Sequence, residues 1–508
     1  MPAILAALCV TLQATIPEAR IESALHQAGD NRAQLQRVLD HYADSGDRQK
    51  LEAARFLIAN MPGHGYVVTR LFDGNKNEIP FDALDFKNFK TAQARLDELE
   101  KQHGTVAFKR KEFIEDVRTI KAEFLIENID LAFDAWRNNA WSSDISFDLF
   151  CEFILPYRGS NEPLEPWRSA CRSQLTEVHA SLGDTTDGRE VAKRIRKVSD
   201  KWVRFRKLFY LHPTDQSYSE MLQNKAGRCE DMTNMTGYAM RASGVIFAAD
   251  YTPYWANRDN NHAWEVILDA EGKGSAGLHN IAAKVYRKVF SRQMDSLAEI
   301  KRDGEKVPRW LDRSNYIDVT DQYFDTTDVS VALSVAPPDS TRFAYLCVFN
   351  GGKWKPIHWS AISTQAGPSS TRATFTRMGR NIVYLPGYYI DDKIVPAAPP
   401  FVLDKRGAQH PLVPDTDRKG PLQIDSVVPE IPDADTQSVF PTIKVKAGEV
   451  YELFVWSDGW QSLGRCTAGD QPVGFDSVPI CGLYWLKTES GRDLERIFTV
   501  ENGAQQMW

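Results

Sequence analysis

Long apolar runs are missing from this chain of 508 residues: no stretch approaches the roughly 18 apolar residues that a membrane-spanning helix needs, so no integral membrane segment is expected. Cysteine is scarce and odd in number, at seven, and no CxxC or HExxH spacing occurs. The ten histidines do not cluster at metal-ligand spacing, so no metal and no other cofactor is expected. Concentrated positive charge is also lacking. Lysine and arginine are scattered and the formal net charge is -7, which leaves no electrostatic footprint for a phosphate backbone and speaks against a nucleic-acid partner. Nor is there a regular short-period repeat.

What remains is a globular composition, 43% hydrophobic with 25% charged residues, in a chain long enough for three or four domains at about 150 residues each. The opening "MPAILAALCVTLQAT" is similar to the apolar part of an export signal, although no Lys or Arg precedes it. Residues 1–18 are therefore read as a leader remnant and the protein as secreted, periplasmic or cell-surface. A lipid anchor on Cys9 is not expected, because Leu8 stands where a small residue belongs. In an oxidising compartment the local disulfide pairs to test are Cys151/Cys171 and Cys466/Cys481.

Periodicity divides the rest. Residues 19–137 read as a helical domain: Leu51, Ala54, Ile58 and Met61 recur at three to four before Pro62-Gly63 stops the helix, and Phe113, Val117, Ile120 and Phe124 fall on one face. Residues 138–315 run helices first and then strands, an α+β order, with His262, Trp264, Val266 and Leu268 on one side of the alternating "HAWEVIL". Short β-type runs punctuated by Gly and Pro fill 316–405 and 441–508, the pattern of two sandwich-like modules. Nine of the 26 prolines lie from Pro396 to Pro441, which marks 406–440 as a linker.

The chemistry concentrates in "NKAGRCEDMTNMTGYAMRASGV" and, some thirty residues on, "NNHAWEVILD". Attack on a carbonyl by sulfur needs thiolate, and a helix N-terminus lowers a thiol pKa through its partially positive N–H groups. Cys229 is placed for that: Gly227 allows a sharp turn before the helix, and Met232, Met235, Ala239 and Ala242 supply its buried face. His262, opening the next strand, is the base within reach of such an arrangement. Taken singly, each has a plainer reading, as a packed thiol and a solvent-facing imidazole.

These two segments together resemble the transglutaminase-like superfamily, whose members carry a catalytic Cys at a helix N-terminus and His and Asp on two adjacent antiparallel strands. "DYTPYWANRDNNHAWEV" is also similar to the peptide:N-glycanase branch, and the resemblance covers about Tyr218 to Phe290. It implies a papain-like core with Cys229 as nucleophile and His262 as general base and acid. The third member departs from the family. Asp269 lies seven residues down the strand from His262, about 23 Å away at about 3.3 Å per residue. If "AEGKG" turns the chain, a returning "SAGLHN" strand brings Asn280 nearly opposite Trp264, within diagonal reach of His262. Asn280 is thus the first choice to orient the imidazole, with Asp250, or no third group, as alternatives. Gln223, six residues before the cysteine, is the oxyanion candidate, Trp202 a vaguer one, and Tyr251 and Trp255 are candidate cleft walls, with Asp250 a further cleft candidate.

The expectation is a multidomain α+β protein: a helical N-terminal region, a papain-like transglutaminase-type core and two C-terminal β-sandwich-like modules. Its expected activity is cysteine-dependent cleavage of an amide in a peptide or glycopeptide; protease, amidase and acyl transferase share the first half-reaction. Two other readings stay open: a non-catalytic glycan-binding scaffold, for which Trp354, Trp359, Trp456, Trp460 and Trp485 would be the platform, and the same fold acting on glycosidic bonds.

Overall fold

The computed structural model describes residues 16–212, 214–338, 340–364, 371–433, 438–469, 472–489, 495–501 and 503–508. Cys9 and nearly all of the leader-like segment lie outside them. The chain is a mixture of helices and antiparallel sheets and divides into two compact units. One comprises the chain up to Ala249 together with Trp264–Gly274 and Val289–Arg292; the other comprises Asp250–Ala263, Ser275–Lys288 and Gln293–Trp508.

In the first unit, helices Glu18–Gln27, Arg32–Ser45, Arg48–Asn60 and Ala122–Arg137 bury Ile21, Leu25, Leu35, Leu57, Ile58, Leu125 and Ile129. Asp47 starts the third of these by accepting from Lys50 N, and Gly63, at φ 88°, takes the chain out of it. The N-terminal region is not helical throughout. Gly65–Phe72 pairs with Glu78–Ile79 on one side and Ala107–Glu115 on the other, and Phe113 sits opposite Val67. Phe113 therefore shares no helix with Val117, Ile120 and Phe124. The i, i+4 spacing there was a coincidence of composition, because a strand's partner some forty residues away leaves no trace in local periodicity.

A second core of this unit gathers Trp167, Cys171, Val191, Ile195, Met221, Met235, Tyr238, Ala239, Phe247 and Ala249. It holds helix α1 (Cys229–Ala242), whose Met235, Ala239 and Ala242 are buried as the spacing predicts, with Met232 partly buried. Gly237 is the point of closest approach: a Cβ there would stand 2.7 Å from the Phe247 ring. Strands β1 (Phe247–Thr252) and β2 (His262–Ile267) begin the sheet that follows, and Leu268 N donates to Ile246 O at 3.2 Å. Trp264 and Val266 on β2, and Leu268 just beyond it, are buried, in keeping with the alternation.

In the second unit β1 pairs through Asp250 and Tyr251 with β3 (Tyr286–Lys288), which pairs with β4 (Tyr316–Asp318). An eight-stranded antiparallel sheet has β5 (Phe343–Asn350) at its centre, beside β6 (Lys353–Thr364). Every residue of β5 is buried. Ala344, Leu346 and Val348 enter one core, while Phe343, Tyr345, Cys347 and Phe349 enter another that also takes Trp456, Leu483, Trp485 and Ile497. The strand alternates between two cores because it is covered on both faces.

The tryptophans proposed as a platform mostly pack on one another: Trp354–Trp456, Trp456–Trp460 and Trp460–Trp485 centroids are 5.5, 5.0 and 5.4 Å apart, and Trp456 and Trp485 are buried. The stretch expected as a linker carries strands as well. Asp415–Ile424 pairs with Val473–Ile480, and Gln409–Pro411 with Phe401–Leu403. Its prolines are admitted because these are short or bulged ladders. No helix among the described residues is long and apolar enough to cross a membrane.

Candidate functional site

Cys229 is the first residue of α1, and the chain before it is tightly specified. Lys225, at φ 49°, closes helix Tyr218–Asn224, and Ala226–Gly227 then runs parallel to Arg204–Phe205, with Arg206 N donating to Gly227 O at 2.9 Å. A Cβ on Gly227 would lie 2.5 Å from the Asp231 Cβ, so only glycine fits. Asp231 folds back over the helix start, its Oδ2 accepting from Arg228 N at 2.9 Å and its Oδ1 from Gln216 N at 3.1 Å. Gln216 is fully buried; its Nε2 donates to Ala226 O and its Oε1 accepts from Asn224 Nδ2.

The electrostatics here are mixed. Arg228 forms an ion pair with Asp215; burial alone would lower its pKa, but Asp215, Asp231 and Glu230 raise it above the usual value. Burial pushes the Asp231 carboxyl up to about 6 against the opposing pull of Arg228. The Cys229 thiol is half-buried.

The other described cysteines are placed differently. Cys151, Cys171 and Cys347 are buried, and burial drives their thiols upward, Cys171 to about 12 and the other two well above the ordinary value. Cys466 lies on a strand opposite Tyr451, and Cys481 is exposed in a turn at φ 61°. All are free thiols, so neither Cys151/Cys171 nor Cys466/Cys481 is bridged.

Cys229 belongs to the first unit and His262, the first residue of β2, to the second. The half-buried imidazole lies on the buried indole of Trp255, centroids 6.0 Å apart and planes 28° from parallel. Trp255 thus packs against the His262 ring. Tyr251 instead packs toward Tyr286 at 5.9 Å.

The register expected for Asn280 is not found. Asp269 does close the turn, its N donating to Lys273 O and its Oδ1 accepting from Glu271 N and Lys273 N. Beyond Gly274, however, residues 275–280 form no strand, and the next one, β3, pairs with β1. "SAGLHN" has too little β-branched and aromatic character to hold a ladder. Asn280 is nevertheless buried, and its Oδ1 accepts from Asn257 Nδ2 at 3.4 Å, while Asn257 Oδ1 accepts from Ile281 N.

Asp250 is committed elsewhere. Its carboxylate accepts from Arg287 Nε and a terminal nitrogen, each at 2.9 Å, and from the Tyr323 hydroxyl at 2.7 Å. Gln223 is exposed on the last turn of its helix and Trp202 packs against the core of the first unit. The glutamine built into the cysteine's helix start is Gln216, which sequence reasoning missed. Asp231 had a legible signal, an acid at the third helical position; Gln216, in an irregular approach, had none.

Among the described residues no three His, Cys, Asp or Glu side chains are grouped to hold a metal ion. No family model, curated protein or solved structure matches the chain.

Proposed function

We propose that the chain is a cysteine-dependent hydrolase of transglutaminase-like type that cleaves an amide bond in a peptide or glycopeptide. The Cys229 thiolate adds to the amide carbonyl, forming a C–S bond and an oxyanion. His262, protonated by the thiol, gives that proton to the departing nitrogen as the C–N bond breaks. Water then adds to the thioester while His262 takes its proton, and the collapse releases the acid and returns the thiol. The N–H groups of the first turn of α1, with that of Cys229 foremost, are the oxyanion donors in this scheme. Asn280 is the amide assigned to orient the imidazole, from its buried position in the unit that carries His262.

What carries the reading is the placement of one sulfur. Of the described cysteines, Cys229 alone stands at the first residue of an α-helix without being buried, whereas three others are sealed in cores, Cys466 sits on a strand and Cys481 in a turn. Alkylation with iodoacetamide tests it. Cys229 is expected to react at about pH 6 at least about tenfold faster than the thiols of the urea-denatured chain, and Cys229→Ala to remove that phase together with hydrolysis of a peptide and glycopeptide panel. Labelling no faster than a denatured thiol would sink the proposal.

A further inference from the structure

The loop 254–261, "YWANRDNN", delivers the chain to His262, and its backbone carbonyls are gathered by side chains from far along the sequence. At the tip between β5 and β6, Asn350 pairs with Lys353 across Gly351 and Gly352, whose φ values of 58° and 67° form the tight turn that only glycine enters freely. Asn350, 4% exposed, points its amide into the loop. Its Nδ2 stands 3.1 Å from Trp255 O, 2.9 Å from Arg258 O and 3.0 Å from Asn260 O, and its Oδ1 accepts from Asn260 N at 3.2 Å. Gly351 N donates to Asp259 Oδ1 at 2.6 Å. A second clamp comes from the C-terminal module. The buried Arg496 donates to Ala256 O at 2.5 Å and to Trp508 O at 2.9 Å, reaches Asp259 Oδ1 at 3.5 Å, and lies over the Phe349 ring.

These contacts answer a need of the loop itself. It closes through Trp255 N to Asn260 O, with Asn260 held at φ 76°, and that tight conformation turns the carbonyls of residues 255, 256, 258 and 260 toward protein, where they require donors. One amide and one guanidinium supply them. Both the Trp255 backbone and the residue two before His262 are thereby fixed, and with them the indole and the imidazole that lie together.

We infer that Asn350 and Arg496 are positioning residues for His262: the β-rich C-terminal part sets the conformation of the loop from which the imidazole emerges. The catalytic meaning of this rests on the hydrolase reading above; the ordering of the loop does not.

The test uses the full chain with Asn350→Asp, which keeps the shape but cannot donate, and with Arg496→Lys, which keeps the charge but loses the fork. Histidine carbon-labelled in the ring, with His262→Gln to assign its signal, follows the imidazole; trypsin nicking after Arg258 follows the loop; the pH profile of Cys229 alkylation follows the chemistry. Each folded variant is expected to be nicked about tenfold faster, to displace the His262 signal and its titration midpoint, and to shift the alkylation profile, while the melting temperature moves by less than about 5 °C. A folded Asn350→Asp chain with unchanged nicking and an unchanged His262 signal would overturn the inference, and Arg496→Lys carries the same test should the first variant fail to fold. If the parent Cys229 alkylates like a denatured thiol, the hydrolase reading falls while nicking and the His262 signal still decide the loop.

Discussion

At the scale of the residue, the segment ahead of Cys229 shows why a thiol's surroundings matter more than its identity. Gly227 admits no Cβ, so Gly227→Ala is expected to destabilise the protein by about 1–3 kcal/mol, read as a lower urea midpoint. Asp231 provides a pH signature. Its carboxyl titrates near 6 in the folded chain against 3.8 ordinarily, so the folded state retains a proton that the unfolded chain has released. The associated stability is fully present below about pH 4 and is lost as pH rises through about 6, amounting to roughly 2–3 kcal/mol. Asp231→Asn is expected to flatten that part of the stability profile; because the amide also replaces an acceptor facing a backbone N–H, the slope between about pH 4 and 7 is the readout, not the level. An unaltered slope would show that Asp231 carries no raised pKa.

At the scale of the element, α1 ends as firmly as it begins. Val245 N donates to Met240 O and Gly244 N to Arg241 O, the paired bonds of a Schellman stop, with Gly244 at φ 72°. A Cβ on Gly244 would stand 2.4 Å from Ala135 O, so Gly244→Ala combines backbone strain with a collision and is expected to cost about 2–4 kcal/mol in urea unfolding. This helix was legible in "GRCEDMTNMTGYAMRASGV", because its start and its buried face are local features. The strand Gly65–Phe72 was not, since its partner Ala107–Glu115 lies beyond any local window. The failed register of Asn280 has the same origin: the chain does turn within "AEGKG", but whether it pairs after the turn depends on what else competes, and β3 took β1.

At the scale of the whole molecule, the two units are not consecutive pieces of chain. Trp264–Gly274 and Val289–Arg292 return to the first unit, where Glu265 meets Arg196 at 2.8 Å and Thr236 of α1 at 3.3 Å, and Phe290 stacks on His64 at 4.3 Å while its backbone N–H donates to Glu152. A fragment ending at Ala249 lacks all of these contacts. It is expected to give weak near-ultraviolet circular dichroism and no sharp urea transition, whereas a fragment with native-like signals would show that the returning segments are dispensable.

The sequence by itself determined that no run of about 18 apolar residues occurs, and with it the cysteine-bearing helix, the helices that precede it and the inward face of "HAWEVIL"; each depends on residues close to one another along the chain. Only the tertiary structure decided that three cysteines are sealed in cores, that Asp250 belongs to Arg287 and Tyr323, that the proline-rich stretch is laddered, and that Asn350 and Arg496 hold the loop before His262. These joins span tens to hundreds of residues, and burial and donor supply, which govern them, are properties of the packed chain and not of any segment of it.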